Sequence, residues 1–185
     1  MKKIVIIAIS LFVVNAFSAE MSAAQFNLAV DKAVQFIVKK ESFRSRWYCD
    51  GCGSTLASRS AKCTRAKCKK ATPTIGHGLT RRYWTGETIS RSQSLAIVKN
   101  IVIRDAKAIL RSLDKTPTTN QLAALCSLAY RRGVAPVLRS QTFAAVKCGN
   151  INRAVSEWRG FNTSGGRVMR GLINRCNAEI KLFLA

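Results

Sequence analysis

The sequence is poor in acidic residues and nearly devoid of histidine. Thirty-one lysines and arginines stand against nine aspartates and glutamates, so the formal net charge is +22, and there is one histidine. A single histidine, His77, excludes a multi-histidine metal centre. A Ser-His-Asp mechanism would have to use this one residue as its base. Any acid–base chemistry must therefore come from a short set of carboxylates.

Proline is also scarce, with three in 185 residues, and the chain has no internal repeat. Together with a hydrophobic fraction of 48% this composition excludes a disordered chain or a solenoid and indicates one globular domain. The strong positive charge attracts polyanions, which could be nucleic acid, anionic lipid or the acidic polymers of a bacterial envelope. Charge alone does not choose among these partners.

The N-terminus has the organisation of a secretory signal. Two lysines after Met1 precede an uncharged apolar run over 4–19, which ends in small residues that suit cleavage. The run is shorter than the roughly 20 residues of a stable membrane span. We expect residues 1–19 to be a signal peptide or a signal-anchor and residues 20–185 to form the functional domain. The protein would then be exported to the periplasm or secreted, with a transient membrane tether as the alternative, and nucleic acid is not an expected partner.

Apolar residues at three- and four-residue spacing predict helices on both sides of a region that lacks this period. Capping boxes, Ser22 with Gln25 and Thr118 with Gln121, mark two helix starts, and Gly133 marks an end. Helices are predicted over 22–40, 90–113, 118–132, 140–148, 151–158 and in a last segment whose apolar face comprises Val168, Leu172, Cys176, Ile180 and Phe183. Residues 47–80, rich in Gly, Thr, Ser and Cys, predict a small lobe of strands and loops. The expected fold class is α+β, mainly α, with a cleft between two lobes where a polymer could lie.

Two carboxylates stand nine positions apart where the first predicted helix meets the small lobe. Cleavage of a glycosidic bond needs a proton for the leaving oxygen and a carboxylate or positioned water on the other side of the sugar. Glu41, close to Trp47 and Tyr48, suits the acid, and Asp50 suits the carboxylate. The spacing alone also fits surface carboxylates that pair with the many arginines.

Further residues add a family resemblance to this spacing. Glu41, Asp50 and Thr74 of "TIGHG" resemble the catalytic Glu, Asp or Cys, and Thr of phage-type lysozymes, glycoside hydrolase family 24. "NQLAALCSLAYRRG" resembles the central helix of that family, and "VSEWRGFNTSGGRVMRGLINRCNAEIKLFL" resembles its C-terminal segment. The resemblance covers 22–184. In this chain residues 51–73 separate Asp50 from Thr74, where the family has a much shorter connection.

The resemblance implies a lysozyme-like two-lobe fold and a muramidase, or endolysin, that needs no cofactor. Its substrate would be the β-1,4 bond between N-acetylmuramic acid and N-acetylglucosamine in peptidoglycan, cut for bacterial lysis. Glu41 would protonate the glycosidic oxygen, and Asp50 and Thr74 would hold the attacking water or stabilise the oxocarbenium-like state. Tyr130 and Arg131 are predicted to contact the substrate. We expect a monomer whose basic surface could also bind anionic envelope lipids.

Seven cysteines are present, and four of them fall in or beside an insertion at 51–71. In an exported chain disulfides are favoured, although the spacing C-x2-C-x10-C-x4-C also fits a structural zinc ion. The four are Cys49, Cys52, Cys63 and Cys68. Either cross-link would hold the inserted loop so that the catalytic residues meet across it, whereas Cys126 and Cys176 lie on apolar stripes and are predicted to be packing thiols.

A competing interpretation involves no catalysis. In it the chain is a cationic protein, stapled by its cysteines or by zinc, that binds nucleic acid or the anionic envelope.

Overall fold

The computed structural model of the protein describes residues 21–65, 68 and 71–185. The predicted signal segment, 1–19, lies outside the described residues. Within the described ranges, none of the helices combines the length and the apolar character that crossing a bilayer requires.

Helices make up most of the described chain. They are α1 (Ala23–Lys40), α2 (Arg91–Ser112), α3 (Thr119–Arg132), α4 (Val134–Leu138), α5 (Gln141–Lys147), α6 (Ile151–Trp158) and α7 (Arg170–Leu184), with a 3-10 helix at Arg159–Asn162. The strands are β1 (Arg44–Cys49), β2 (Pro73–Gly76), β3 (Leu79–Thr80), β4 (Thr163–Ser164) and β5 (Arg167–Val168). The predicted α+β class, mainly α, is confirmed.

Local capping explains where the long helices begin. The side chain of Ser22 accepts a hydrogen bond from the Gln25 N–H at 3.2 Å, and the Ser22 N–H donates to Gln25 Oε1 at 3.0 Å. The predicted box at Thr118 forms in the same way, and so does a box at Ser90 that starts α2. Gly133, with φ of +84°, ends α3 as expected, because this backbone conformation is costly for a residue with a Cβ.

Helix α3 is the centre of the helical lobe. Every residue from Leu122 to Ala129 is buried, and the helix packs against α1, α2 and α7. The apolar stripes of the three surrounding helices therefore share one core with α3. This packing brings the C-terminal ends of α1 and α3 close to the first turns of α7.

The small lobe is a three-stranded antiparallel sheet in the order β1-β2-β3. Tyr48 of β1 pairs with Thr74 of β2, which pairs with Thr80 of β3. Trp47 connects β1 to the segment between β3 and α2, because its buried indole donates a hydrogen bond to the Gly86 carbonyl at 2.9 Å.

Two features of the helical lobe differ from the sequence prediction. Val168 was expected on the last helix, but it lies in β5 and its side chain is exposed, so this prediction is wrong. The positive φ values of Gly165 and Gly166 fold 163–168 into a short β4–β5 hairpin, which delays the start of α7. Helix α4 was not predicted, since five residues are too few to show a helical period.

Candidate active site

Glu41 stands where the chain leaves α1. Its N–H still donates to the Ile37 carbonyl, while its own backbone is extended, with φ of −101° and ψ of 116°. One carboxylate oxygen, Oε1, accepts a hydrogen bond from Arg175 Nη1 at 3.1 Å. The other, Oε2, lies over the turn between β2 and β3, where a Cβ built on Gly78 would be 3.4 Å away. The side chain keeps 28% of its surface exposed, so a ligand can reach it.

Arg175 is itself fixed by buried partners. Its Nε donates to Glu179 Oε1 at 3.0 Å, and its Nη2 donates to Ser127 Oγ at 3.1 Å. The fully buried Glu179 carboxylate also accepts from Ser127, Arg131 and Trp158, at 2.9, 3.1 and 3.2 Å. Four donors thus compensate its charge, as a buried carboxylate requires. This network holds the guanidinium that in turn orients Glu41.

Arg131 belongs to the same network, so its side chain already has protein partners at the site where it was predicted to contact the substrate. Besides its ion pair with Glu179, its Nη1 donates to the Phe161 carbonyl at 2.9 Å. It nevertheless lines, with Glu41 and Arg175, a surface cavity of about 360 Å³. The structure therefore gives Arg131 a packing role at the edge of the site, and its contact with substrate stays a prediction.

Tyr130 connects the helical lobe to the sheet. Its hydroxyl donates to the His77 carbonyl at 2.6 Å, and its ring lies 3.8 Å from the Cβ position of Gly78. Burial, followed by the charge of Glu41, raises the pKa of Tyr130, so the hydroxyl stays protonated and can donate. Tyr130 thus lies beside Glu41, and its predicted contact with substrate is untested.

Tyr48 lies on β1, two residues before Asp50. Burial is the largest cause of its raised pKa, but Glu41 and Asp50 both add to the increase and Arg44 opposes it. Tyr48 is also the cross-strand partner of Thr74. The sheet therefore brings the end of β1, which leads into Asp50, next to Thr74, while Glu41 faces the turn that follows β2.

The long insertion does not separate Asp50 from Thr74. Asp50 Oδ1 accepts a hydrogen bond from the Thr72 N–H at 2.8 Å, and the Asp50 N–H donates to the Thr72 carbonyl at 3.4 Å. The same carbonyl accepts from the Thr74 hydroxyl at 3.0 Å. The chain thus leaves the sheet at Asp50 and returns beside it at Thr72. Asp50 is exposed and Thr74 is buried.

His77 stabilises the turn between β2 and β3, and its contacts indicate a structural role. Its Nδ1 lies 2.9 Å from Ser94 Oγ, and its backbone N–H donates to the same oxygen at 3.0 Å. Burial, and to a lesser extent Arg91, lowers the pKa of His77, so the ring is neutral at pH 7. The only histidine of the chain is thereby engaged in connecting the sheet to the first turn of α2.

Sequence reasoning did not assign a role to Arg175, Glu179 or Ser127. Arg175 and Glu179 were visible as a charged pair four residues apart beside Cys176 and Ile180 on an apolar helix face. A charged pair in that position indicates a buried ion pair. The residue that Arg175 holds lies 134 positions earlier, which no local pattern reveals.

The cysteines of the insertion lie close together. Sγ atoms of four cysteines are all within 4.8 Å of one another, and Cys52 Sγ lies 3.6 Å from Cys63 Sγ. The other two members are Cys49 and Cys68, both buried. Every cysteine of the chain is a free thiol in the structure, so the expected disulfides are not confirmed. Among the residues that the structure describes, this cluster is the group that could hold a metal ion.

A helical lobe, a three-stranded lobe and an arginine-held glutamate at their junction define a lysozyme-like protein. The fold is similar to the muramidase domain of SpmX from Asticaccaulis excentricus, with a TM-score of 0.64 and 19% identity over 90% of this chain and 98% of that one. It is also similar to an endolysin of the Escherichia coli phage FAHEc1, with a TM-score of 0.62 and 21% identity over 89% and 93% of the two chains.

The phage lysozyme family model matches residues 57–179, and the chain belongs to this family. It is 30% identical over 129 residues to the endolysin of Bacillus phage B103, which covers 65% of this chain and 48% of that endolysin. It is 30% identical over 122 residues to the endolysin of Acyrthosiphon pisum secondary endosymbiont phage 1, covering 63% and 83%. The chain thus spans about half the length of the Bacillus phage relative. Thr74 falls inside the matched range, whereas Glu41 and Asp50 precede it and depend on the geometry above.

Proposed function

We propose that this protein is a muramidase that hydrolyses the β-1,4 bond between N-acetylmuramic acid and N-acetylglucosamine in peptidoglycan. The observation that carries the proposal is Glu41, which is held by Arg175 at the junction of the lobes and still partly open to solvent. Family membership supports the substrate class, because the relatives are endolysins and one structural neighbour is a muramidase domain.

In this mechanism Glu41, in its acid form, donates a proton to the glycosidic oxygen as the bond to the anomeric carbon breaks. The carboxylate that remains faces the Arg175 guanidinium at 3.1 Å, and this charge-assisted hydrogen bond stabilises it. Positive charge develops on the sugar at the same time. Asp50 accepts a proton from a water molecule whose oxygen attacks the anomeric carbon, and Thr74 orients that water.

Tyr48 is the cross-strand partner of Thr74, and the Tyr130 ring lies 3.8 Å from the Cβ position of Gly78; both would supply flat, partly apolar surfaces on which sugar rings pack. The net charge of +22 attracts the acidic stem peptides of peptidoglycan and the anionic lipids of the envelope. We include export in the proposal, since the substrate lies outside the cytoplasm and the N-terminal sequence resembles a secretory signal. Mass spectrometry of the mature chain isolated from the periplasm tests this part.

Digestion of purified, lipid-free sacculi tests the activity. A muramidase releases soluble fragments whose new reducing ends are N-acetylmuramic acid, which borohydride reduction followed by hydrolysis identifies. Reducing N-acetylglucosamine ends would contradict the proposed bond. The absence of any soluble fragment would contradict hydrolysis altogether.

The non-catalytic alternative rests on the charge of +22, which by itself can disrupt an anionic envelope. Lipid-free sacculi separate the two functions, because membrane damage cannot release sugar fragments from them. A protein that lyses chloroform-treated cells but leaves sacculi intact would be the cationic binder.

A further inference from the structure

We propose that Cys49, Cys52, Cys63 and Cys68 bind one zinc ion as a closed tetrathiolate site. A tetrahedral zinc ion with Zn–S bonds of about 2.3 Å places its sulfurs about 3.8 Å apart. The four sulfurs are all within 4.8 Å of one another, and Cys52 Sγ and Cys63 Sγ are 3.6 Å apart. Shifts of about 1 Å or less would bring them to the tetrahedral spacing.

The backbone of the first cysteine pair has the form of a metal-binding turn. The N–H groups of Cys52 and Gly53 both donate to the Cys49 carbonyl, at 3.3 and 2.7 Å, so the chain curls around one side of the cluster. Gly53 has φ of +73°, which the turn requires. A Cβ on Gly51 would lie 3.3 Å from Cys68 Sγ, closer than about nine in ten real Cβ contacts. Glycine at this position therefore lets the turn approach the second pair of cysteines.

The charge of the insertion complements such a site. Four thiolates around one Zn²⁺ carry a net charge of about −2. The sequence of 51–71 contains six lysines and arginines and no carboxylate, so the insertion itself supplies positive charge that offsets the charge of the site. The lack of carboxylates also disfavours magnesium and calcium, which need oxygen ligands.

The proposed ion connects the two ends of the insertion. Cys49 directly precedes Asp50, and Cys68 lies four residues before Thr72, whose N–H binds the Asp50 carboxylate. Closing the insertion here limits the positions that Asp50 can take. This consequence for catalysis rests on the proposed function, whereas metal binding does not depend on it.

Elemental analysis of the full chain, purified under reducing conditions without chelator, tests the proposal. We expect about one zinc ion per chain, and about tenfold less in Cys52→Ser and in Cys63→Ser, since each loses one of four ligands. Cys148→Ser is the matched control, because Cys148 is exposed and lies outside the cluster. Cobalt added to the metal-free protein should give thiolate-to-cobalt absorption that Cys52→Ser lacks.

Three results of the metal and cysteine analysis would each overturn the proposal, and a fourth comes from thermal unfolding. The first three are stoichiometric iron instead of zinc, a zinc content that is equal in the wild type and Cys52→Ser, or two disulfides among the four cysteines in protein recovered from the periplasm. If the serine variants do not fold, the unfolding temperature of the wild type, with and without a chelator, still tests the site. A bound structural ion requires that a chelator lower the unfolding temperature and that added zinc restore it, and an unchanged unfolding temperature would refute the site.

Discussion

Replacing Arg175 with methionine removes the central charge of the site while keeping most of the side-chain volume. The guanidinium bridges the Glu41 and Glu179 carboxylates at 3.1 and 3.0 Å, and only 8% of the side chain is exposed. Glu179 is fully buried and would keep Arg131 as its one ion-pair partner at 3.1 Å. The substitution therefore leaves the buried Glu179 carboxylate with one of its two ion-pair partners.

Removing one partner of a buried ion pair typically costs about 3–5 kcal/mol. Because Arg131 and two neutral donors remain on Glu179, we expect the lower end, about 3 kcal/mol, in the free energy of unfolding. For a domain of this size that loss corresponds to a decrease in Tm of about 6–12 °C. The Glu41 carboxylate would also lose its hydrogen bond from Arg175. Activity should therefore fall too, since a displacement of a catalytic group by about 1 Å can cost about 100-fold in rate.

Urea denaturation followed by circular dichroism measures the effect. Arg153→Met is the matched control, because the Arg153–Glu157 pair is exposed and 3.9 Å long, and we expect a loss of less than about 0.5 kcal/mol there. Equal stabilities of Arg175→Met and Arg153→Met would refute the claim that the network around Glu179 is a buried, mutually compensating unit.

Two further predictions concern the turn that faces Glu41. Gly76→Ala should lower the free energy of unfolding by about 1–3 kcal/mol, because Gly76 has φ of +63° and a Cβ would lie 2.5 Å from Ser94 Oγ. Gly160→Ala is the control and should change the free energy of unfolding little, because a Cβ there meets nothing within 4 Å. Equal effects of the two substitutions would contradict this prediction. His77→Asn should remove a pH dependence of stability. The pKa of His77 is lowered by burial, so the unfolded chain takes up a proton first as pH falls below about 6.5, and the wild type loses stability between that pH and the lower folded-state pKa. Denaturation curves from pH 7.5 to 5 check this, and a variant that loses stability in parallel with the wild type would count against it.

Features that depend on neighbouring residues could be read from the sequence. The starts of α1 and α3 follow from capping boxes, whose partners are three residues apart, and both formed as predicted. Glu41 and Asp50 could be singled out because acids are scarce and both flank the end of a clear amphipathic helix.

Features that depend on the folded chain could not be read in this way. Arg175 reaches Glu41 across 134 positions, and Arg131, which looked free to bind substrate, is engaged by Glu179. The hairpin at 163–168 displaced Val168 from α7, because two glycines with positive φ fix a turn that periodicity does not register. Likewise the cysteine spacing left disulfides and zinc both open, and only the positions of the sulfurs favour the metal.

The most direct test of the account is the rate at which Glu41→Gln releases reducing ends from purified sacculi. Loss of a general acid costs about 10²–10⁴-fold in rate, and the amide cannot donate the proton that the leaving oxygen requires. Asp31→Asn is the matched control, since Asp31 forms an exposed ion pair with Lys99 and should leave the rate unchanged. We expect a folded Glu41→Gln protein with at least about 100-fold lower activity, as the assignment of Glu41 as the general acid requires. A folded Glu41→Gln protein as active as Asp31→Asn would contradict it.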